Sequence, residues 1–190
     1  MNGENTAIAN GVATSAKLLA VEYNHRDHCG PVLDYGTGMG RNLRWLISKG
    51  VRVVGTDLDS QIERQKERIK DLPVFSAYDL PEHHYELILC SFVLNVIQED
   101  SVKLSVLQDI NRLLAGDGMI FLELRRKWDI DHIKCAEPCG DGVLCKRGYQ
   151  EYVKPEKLER LASQAGLTIC SVINNGLKYI VTLTRKGNTI

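Results

Sequence analysis

The sequence predicts an α/β fold: a doubly wound, mostly parallel seven-stranded sheet with helices on both faces and an antiparallel last strand. Two observations carry this prediction. Short apolar runs alternate with segments of helical spacing along the whole chain, which is typical of successive β-then-α units. The last two apolar runs flank Asn174-Asn175-Gly176, a strong signal for a short turn and therefore for a terminal hairpin.

The first half of the chain supplies four predicted strands. They lie at 31–35, 51–56, 73–76 and 86–92; the second is rich in β-branched residues and the third is weak. The fourth is a continuous apolar run, as expected for a central strand covered on both faces. Helices are predicted over 14–24, over 41–49 with Gly50 ending it, and after Asp59 or Ser60 as the cap.

The second half begins with the best helical pattern, over 100–115, which Gly116-Asp117-Gly118 is expected to end before a strand at 119–124. Residues 125–153 show neither helical nor strand periodicity in their apolar residues. A helix with Pro155 in its first turn then runs to Gly166. Strands at 167–173 and 178–184 form the terminal hairpin.

Composition predicts one domain over residues 1–190 and excludes some classes of protein. Lysine plus arginine equals aspartate plus glutamate at 24 each, so no overall field attracts nucleic acid or a membrane surface. No signal peptide and no apolar run of about 20 residues is visible. The six cysteines are therefore interpreted as free thiols of a cytoplasmic protein.

The most informative segment is the turn after the first strand, where Gly36, Gly38 and Gly40 precede a helix. Glycines allow positive φ angles and close approach of a ligand, and the helix N-terminus suits an anionic group. A dinucleotide fingerprint that starts at Gly36 requires a small residue where Arg41 stands. Asp34 is an acid that this fingerprint does not need. Both residues count against a nicotinamide-dependent oxidoreductase.

The pattern Asp-x-Gly-x-Gly-x-Gly over residues 34–40 resembles the first motif of class I S-adenosylmethionine (SAM)-dependent methyltransferases, and the order of strands and helices resembles their topology. The resemblance implies SAM as cofactor and methyl transfer to an oxygen, nitrogen or sulfur atom of a small molecule. A SAM-binding module without transferase activity, or one that uses SAM for other chemistry, is the alternative.

The resemblance also implies a set of cofactor-binding residues, one group at each strand end. The methionine half of SAM is assigned to Asp34, Gly36, Thr37, Gly38, Gly40 and Arg41, the ribose to Asp57 with Leu58, the adenine to Asp79 and Leu80, and the sulfonium side to Ser91 and Phe92. Asp57 follows Gly36 by 21 residues, a distance at which a carboxylate can accept both ribose hydroxyls. Asp59 is the competing acid.

The acceptor side is expected under the N-terminal segment and under residues 125–153, interpreted as an active-site lid. No catalytic residue stands out, because SAM carries its own leaving group and needs mainly alignment. Tyr149 is the candidate substrate contact. Arg125-Arg126-Lys127 is either an anion site or an exposed charge run, and the histidines at 83 and 84 are a base or polar surface.

Four residues within a short stretch raise the question of a metal: His132, Cys135, Cys139 and Cys145. Their spacing matches no common zinc pattern, so no metal is predicted; plain thiols and a site for a soft acceptor such as arsenite stay open.

The segment after the fourth strand argues against two classes of nucleic-acid acceptor. Residues 91–95 lack the Asn/Asp-Pro-Pro-Tyr/Phe motif of methyltransferases that act on exocyclic base nitrogens. The Pro-Cys pair needed for C5-cytosine chemistry occurs only at 138–139, after the fifth strand. A nucleic-acid acceptor is therefore not favoured. Residues 6–8, 15–16 and 93–97 also resemble methyltransferase-like proteins associated with DNA phosphorothioation, which usually carry cysteine where Thr37 stands.

Overall fold

A computed structural model of the protein describes residues 11–26, 30–80, 84–174 and 178–187. Its main feature is a seven-stranded sheet, accompanied by a small three-stranded sheet. The strands of the large sheet are β1 (Val32–Tyr35), β2 (Val53–Asp57), β3 (Val74–Ser76), β4 (Tyr85–Ser91), β5 (Leu114–Glu123), β9 (Leu167–Asn174) and β10 (Tyr179–Arg185). The small sheet consists of β6 (Glu137–Cys139), β7 (Gly142–Cys145) and β8 (Gly148–Gln150). The strand order is β3-β2-β1-β4-β5-β10-β9 in the large sheet and β6-β7-β8 in the small one.

The predicted fold class is confirmed. Strands β1 to β5 pair in parallel, whereas β10 pairs antiparallel with both β5 and β9. The chain runs outward from β1 through β2 to β3 and then returns to place β4 on the other side of β1. The strand order therefore reverses between β1 and β4, which is where open α/β sheets bind ligands.

Helices cover both faces because side chains alternate along each strand. The helices are α1 (Thr14–His25), α2 (Arg41–Ser48), α3 (Asp59–Ile69), α4 (Asp100–Leu113), α5 (Lys127–Asp131) and α6 (Pro155–Gln164). Val32, Leu87 and Leu89 pack with apolar residues of α1 and α2. Their neighbours Leu33 and Ile88 point to the opposite face and pack with α4 and α6. None of the described helices is long and apolar enough to cross a membrane.

Several predicted boundaries were wrong. The strand β5 begins at Leu114 and includes Gly116-Asp117-Gly118, because Leu114 already pairs with Tyr85 across a register irregularity. Helix α3 begins at Asp59 with Leu58 as its N-cap residue and no side-chain cap, so neither Asp59 nor Ser60 caps it. The hairpin turn at 175–177 lies outside the described residues.

Two connections also differ from the predicted β-then-α alternation. Between β3 and β4 no helix is present in the residues that the structure describes. Residues 125–153, which showed no periodicity, contain the short helix α5 and the sheet β6-β7-β8. These strands are three or four residues long and mostly half exposed, so they leave no apolar run that could be recognised in the sequence.

Candidate active site

A cavity of about 580 Å³ lies at the carboxyl ends of the central strands. Its wall comes from the glycine turn after β1, from the ends of β2 and β4, and from the segment after β3. Residues of α4, together with Arg125 and Gln150, complete it on the side of β5. The cavity thus occupies the switch point of the sheet.

The glycine turn forms the floor of one half of the cavity. Gly36, Gly38 and Gly40 have φ angles of 75°, 55° and 72°, in the left-handed region that favours glycine. The N–H groups of Gly36 and Thr37 both donate to the Thr56 carbonyl at 2.9 Å, which fixes the turn against β2. A β-carbon at Gly36 would collide with a Val93 methyl group, so only glycine fits beside the segment after β4.

Asp57, at the end of β2, is held by backbone donors on both sides. Its Oδ2 accepts from Gly38 N at 2.7 Å and its Oδ1 accepts from Leu58 N at 2.8 Å. Burial raises the pKa of this carboxyl, and the two N–H groups lower it. Each carboxylate oxygen retains a lone pair, and the side chain lines the cavity, so Asp57 can accept two further hydrogen bonds.

Asp34 lies behind the glycine turn and is only 1% exposed. Its Oδ2 accepts a hydrogen bond from Thr37 Oγ1 at 2.8 Å. Burial, helped by the charge of Asp57, raises the pKa of Asp34 to about 6, against the lowering effects of the Thr37 hydroxyl and Arg41. Arg41 lines the cavity, and its pKa is lowered by burial while the charges of Asp34 and Glu123 oppose that effect.

The end of β4 joins the two halves of the cavity at Ser91 and Phe92. Ser91 Oγ lies 2.8 Å from Ser15 Oγ, and Glu123 Oε2 accepts from Ser15 N at 2.7 Å, so the first turn of α1 is tied to β4 and β5. Phe92 has a φ of 61°, a left-handed conformation that is strained for a side-chain-bearing residue. The guanidinium of Arg125 lies 5.6 Å from the centre of its ring.

The other half of the cavity is mainly apolar, with two buried amides. Asn95 is completely buried, and its Nδ2 donates to Gln150 Oε1 at 3.3 Å. Glu151 N donates to the Asn95 carbonyl at 2.8 Å, which ties the end of the small sheet to the segment after β4. Asn95 Oδ1 has no hydrogen-bond partner in the described part of the chain. The apolar wall consists of Val93, Val96, Ile97, Val102 and Val106.

A profile of the methyltransferase domain family matches residues 13–172, which include the glycine turn, Asp57 and the whole cavity. The chain belongs to this family, the class I SAM-dependent methyltransferases. The prediction of family, cofactor and fold is therefore confirmed.

Solved structures of other methyltransferases are similar in fold. The CcbJ methyltransferase of Streptomyces caelestis superposes with a TM-score of 0.70 at 15% identity, over 98% of this chain and 99% of that one. The SAM-bound amino pentose methyltransferase CalS10 of Micromonospora echinaspora gives a TM-score of 0.68 at 14% identity, over 91% and 90% of the two chains. At such identities the likeness concerns the fold alone.

One curated relative matches a smaller region. An uncharacterised protein of Haemophilus influenzae is 29% identical over 104 residues, which cover 47% of this chain and 40% of that protein. The match thus spans less than half the length of that relative.

The methyltransferase places most of the predicted cofactor residues on the cavity wall. Those that line it are Gly36, Thr37, Gly38, Arg41, Asp57, Leu58, Ser91 and Phe92. Asp34 and Gly40 lie behind the wall, where Gly40 precedes the first residue of α2. These positions fit SAM: Asp57 offers two acceptors, and Arg41 and Asp34 offer opposite charges near the turn.

The pair Asp79 and Leu80 does not line the cavity. Asp79 is exposed and its N–H donates to the Ser76 carbonyl in a turn, while Leu80 packs against the core. The residues before them, Ala77 and Tyr78, line the cavity instead, and Tyr78 is 80% exposed. The predicted segment thus reaches the cavity, but the residues that line it stand two positions earlier in the chain than predicted. The turn directs Asp79 outward.

Tyr149 is likewise absent from the cavity wall. Its side chain is 2% exposed, and its hydroxyl donates to Glu151 Oε2 at 3.0 Å. Because successive residues of β8 point to opposite sides, Gln150 lines the cavity in its place. Gln150 lies in a segment without periodicity, so the sequence gave no signal for its place on the cavity wall.

The histidine and cysteines at 132–145 do not form a metal site. In the described ranges no group of three or more His, Cys, Asp or Glu residues could hold a metal ion. His132 stacks on Trp128, Cys139 receives a weak contact from Gln98, and Cys145 contacts the Gly148 carbonyl. The described cysteines at 90, 135, 139, 145 and 170 are free thiols. His84 is exposed, and residue 83 lies outside the described residues.

Proposed function

We propose that this protein transfers the methyl group of SAM to an oxygen, nitrogen or sulfur atom of a small molecule. One observation carries the proposal: a single cavity joins Asp57 and the glycine turn to the buried pair Asn95 and Gln150, with Ser91 and Phe92 between them. A donor in the first half and an acceptor in the second would meet at the end of β4.

The chain's own residues would bind and orient the cofactor. Asp57 would accept hydrogen bonds from the ribose hydroxyls, because its side chain lines the cavity and each oxygen keeps a lone pair beside its backbone donor. Arg41 binds the carboxylate, the buried charge of Asp34 favours the ammonium group, and Tyr78 packs on the adenine. Bound SAM supplies an electrophilic methyl group with a built-in leaving group.

The acceptor half would act by alignment. Apolar side chains of α4 and of residues 93–97 exclude water from an acceptor, and Asn95 with Gln150 offers polar contacts that fix its orientation. We propose that residues 125–153 close this half as a fixed wall, through Arg125 and Gln150, rather than as a lid that contacts the acceptor along its length.

A small-molecule acceptor agrees with the chain's balance of 24 basic and 24 acidic residues, because this balance produces no overall positive potential that would attract nucleic acid. The similar fold of CalS10, an amino pentose methyltransferase, supports the same class of acceptor.

Calorimetric titration of the purified protein with SAM, S-adenosylhomocysteine (SAH) and NAD tests the cofactor, and SAH release with a panel of small acceptors tests the reaction. We expect SAM and SAH to bind and NAD not to bind. Binding of NAD in preference to SAM would contradict the proposal. SAM binding without SAH release from any acceptor would support a binding module instead.

A further inference from the structure

Arg125 is a half-buried cation on the cavity wall and forms no ion pair with a carboxylate of the described residues. Its Nε is buried and makes no hydrogen bond within the described part of the chain, and its guanidinium lies over the Phe92 ring. A buried donor that remains unsatisfied is unfavourable, and more so when it is charged. The cost suggests that a ligand supplies the missing acceptor.

The carboxylates near Arg125 have other partners. Glu123 Oε2 accepts from the N–H of Ser15, at the first turn of α1. Asp129 accepts from both the backbone and the guanidinium of Arg126, with Arg126 Nε at 2.8 Å. Two consecutive arginines therefore differ: Arg126 forms an ion pair with Asp129 away from the cavity, whereas Arg125 faces the cavity and has no such pair among the residues that the structure describes.

Phe92 is the aromatic neighbour of the Arg125 guanidinium. Its left-handed φ of 61° is maintained by the hydrogen bond from its N–H to the Glu123 carbonyl at 2.7 Å. With the guanidinium carbon 5.6 Å from the ring centre, Phe92 offers a cation–π contact but no hydrogen-bond acceptor, so the in-plane N–H groups of the guanidinium need an acceptor elsewhere. This planar set of donors matches a carboxylate in a bidentate contact.

We propose that Arg125 binds a carboxylate of the acceptor, so that the substrate class is a small organic acid with an apolar body. The inference rests on the proposed function and adds the acceptor's chemistry to it. The apolar body fits Val96, Ile97, Val102 and Val106. Arg41, which lies closer to Asp34 and the glycine turn, is left for the carboxylate of the cofactor.

The test uses SAH-saturated protein and a matched panel of hydroxybenzoates and aminobenzoates with the corresponding carboxamides. Calorimetry measures the binding of each acid and amide to wild type, Arg125→Met, Arg125→Lys and the control Arg126→Met. We expect the acids to bind at least about tenfold more tightly than the amides, the size of a charge-assisted hydrogen bond. Arg125→Met should abolish this preference, Arg125→Lys should retain part of it, and Arg126→Met should retain it fully.

The affinity of each variant for SAH shows whether Arg125 binds the carboxylate of the acceptor or that of the cofactor. If the acceptor supplies it, SAH affinity stays within about twofold of wild type in both Arg125 variants. Weaker SAH binding in Arg125→Met, with no change in Arg126→Met, would place the cofactor's carboxylate at Arg125 and overturn the proposal. Equal binding of acids and amides, or binding of no acid, would also overturn it. Failure of the wild-type protein to bind SAH would instead refute the proposed function.

Discussion

The two halves of the cavity are built in different ways. In the cofactor half, backbone N–H groups of the glycine turn and one carboxylate, Asp57, define the geometry within two short segments. In the acceptor half, side chains from the segments after β4 and β5, from α4 and from β8 meet only in the folded chain. The first arrangement is local and insensitive to most side chains, whereas the second depends on how distant elements are held together.

A network of charges holds the acceptor half. Lys103 of α4 and Glu151, after β8, are completely buried and form an ion pair at 2.7 Å. Glu151 also accepts from Lys157 of α6 at 2.8 Å, and Lys157 contacts Asp100 and Asp141 at 3.2 and 2.6 Å. Because Gln150 precedes Glu151 in the chain, this network fixes the position of Gln150 in the cavity wall.

The largest effect is expected from Glu151→Ala, which leaves Lys103 buried without its closest partner. Removing one member of a buried ion pair costs about 3–5 kcal/mol in the free energy of unfolding. Urea denaturation measures the loss. The control is Glu63→Ala, whose partner Lys66 lies on the surface and whose loss should cost at most about 1 kcal/mol. A loss in Glu151→Ala no larger than in the control would show that the network does not hold the acceptor half.

The second prediction concerns the cofactor half. Asp57→Ala removes the acceptor of Gly38 N and the proposed ribose contact, so SAH affinity should fall by about 1–3 kcal/mol, or roughly 5- to 150-fold. Asp59→Ala is the matched variant, because Asp59 also lines the cavity but only begins α3. Calorimetry should show a clearly smaller loss for Asp59→Ala. An equal or larger loss there would assign the ribose to the competing acid.

The contrast between a locally encoded cofactor half and an acceptor half built from distant segments also explains which features the sequence could predict. The fold, the glycine turn and Asp57 follow from patterns within a few residues, and the structure places them at the switch point. Asn95 and Gln150 are 55 residues apart and meet through a hydrogen bond that no local pattern encodes. Tyr149, the predicted substrate contact, lies off the cavity wall because neighbouring side chains of β8 point to opposite sides, and the sequence of a three-residue strand does not show this alternation.

A third prediction uses the buried carboxyl of Asp34, whose pKa is raised by burial to about 6 from an ordinary 3.8. The folded protein binds this proton more tightly than the unfolded chain, so its contribution to stability is complete below pH 3.8 and is lost as pH rises through 6. The ionised form favours the ammonium group of SAM. We therefore expect SAH affinity to fall between pH 7 and pH 5, by up to about tenfold per pH unit.

The control for this pH dependence is Asp34→Asn, which cannot ionise. Its SAH affinity should be low and should not change between pH 5 and pH 7 in calorimetric titrations. Its free energy of unfolding should also lack the decrease that the wild-type protein shows as pH rises through 6. A wild-type affinity that does not change over this range would exclude an electrostatic role for Asp34 in cofactor binding.

The smallest effect is expected from Thr37→Val, which keeps the shape of the side chain and removes the hydroxyl that donates to Asp34 Oδ2 at 2.8 Å. This hydrogen bond lowers the pKa of Asp34, so its loss should raise that pKa further above 6. A hydrogen bond of about 1 kcal/mol corresponds to somewhat less than one pH unit. The midpoint of the pH-dependent SAH affinity should therefore move upward by about half a unit to one unit, with little change at pH 8. If the midpoint does not move and SAH affinity falls equally at all pH values, Thr37 acts by direct contact with the cofactor. The cofactor half would then depend on side chains more than its backbone geometry indicates.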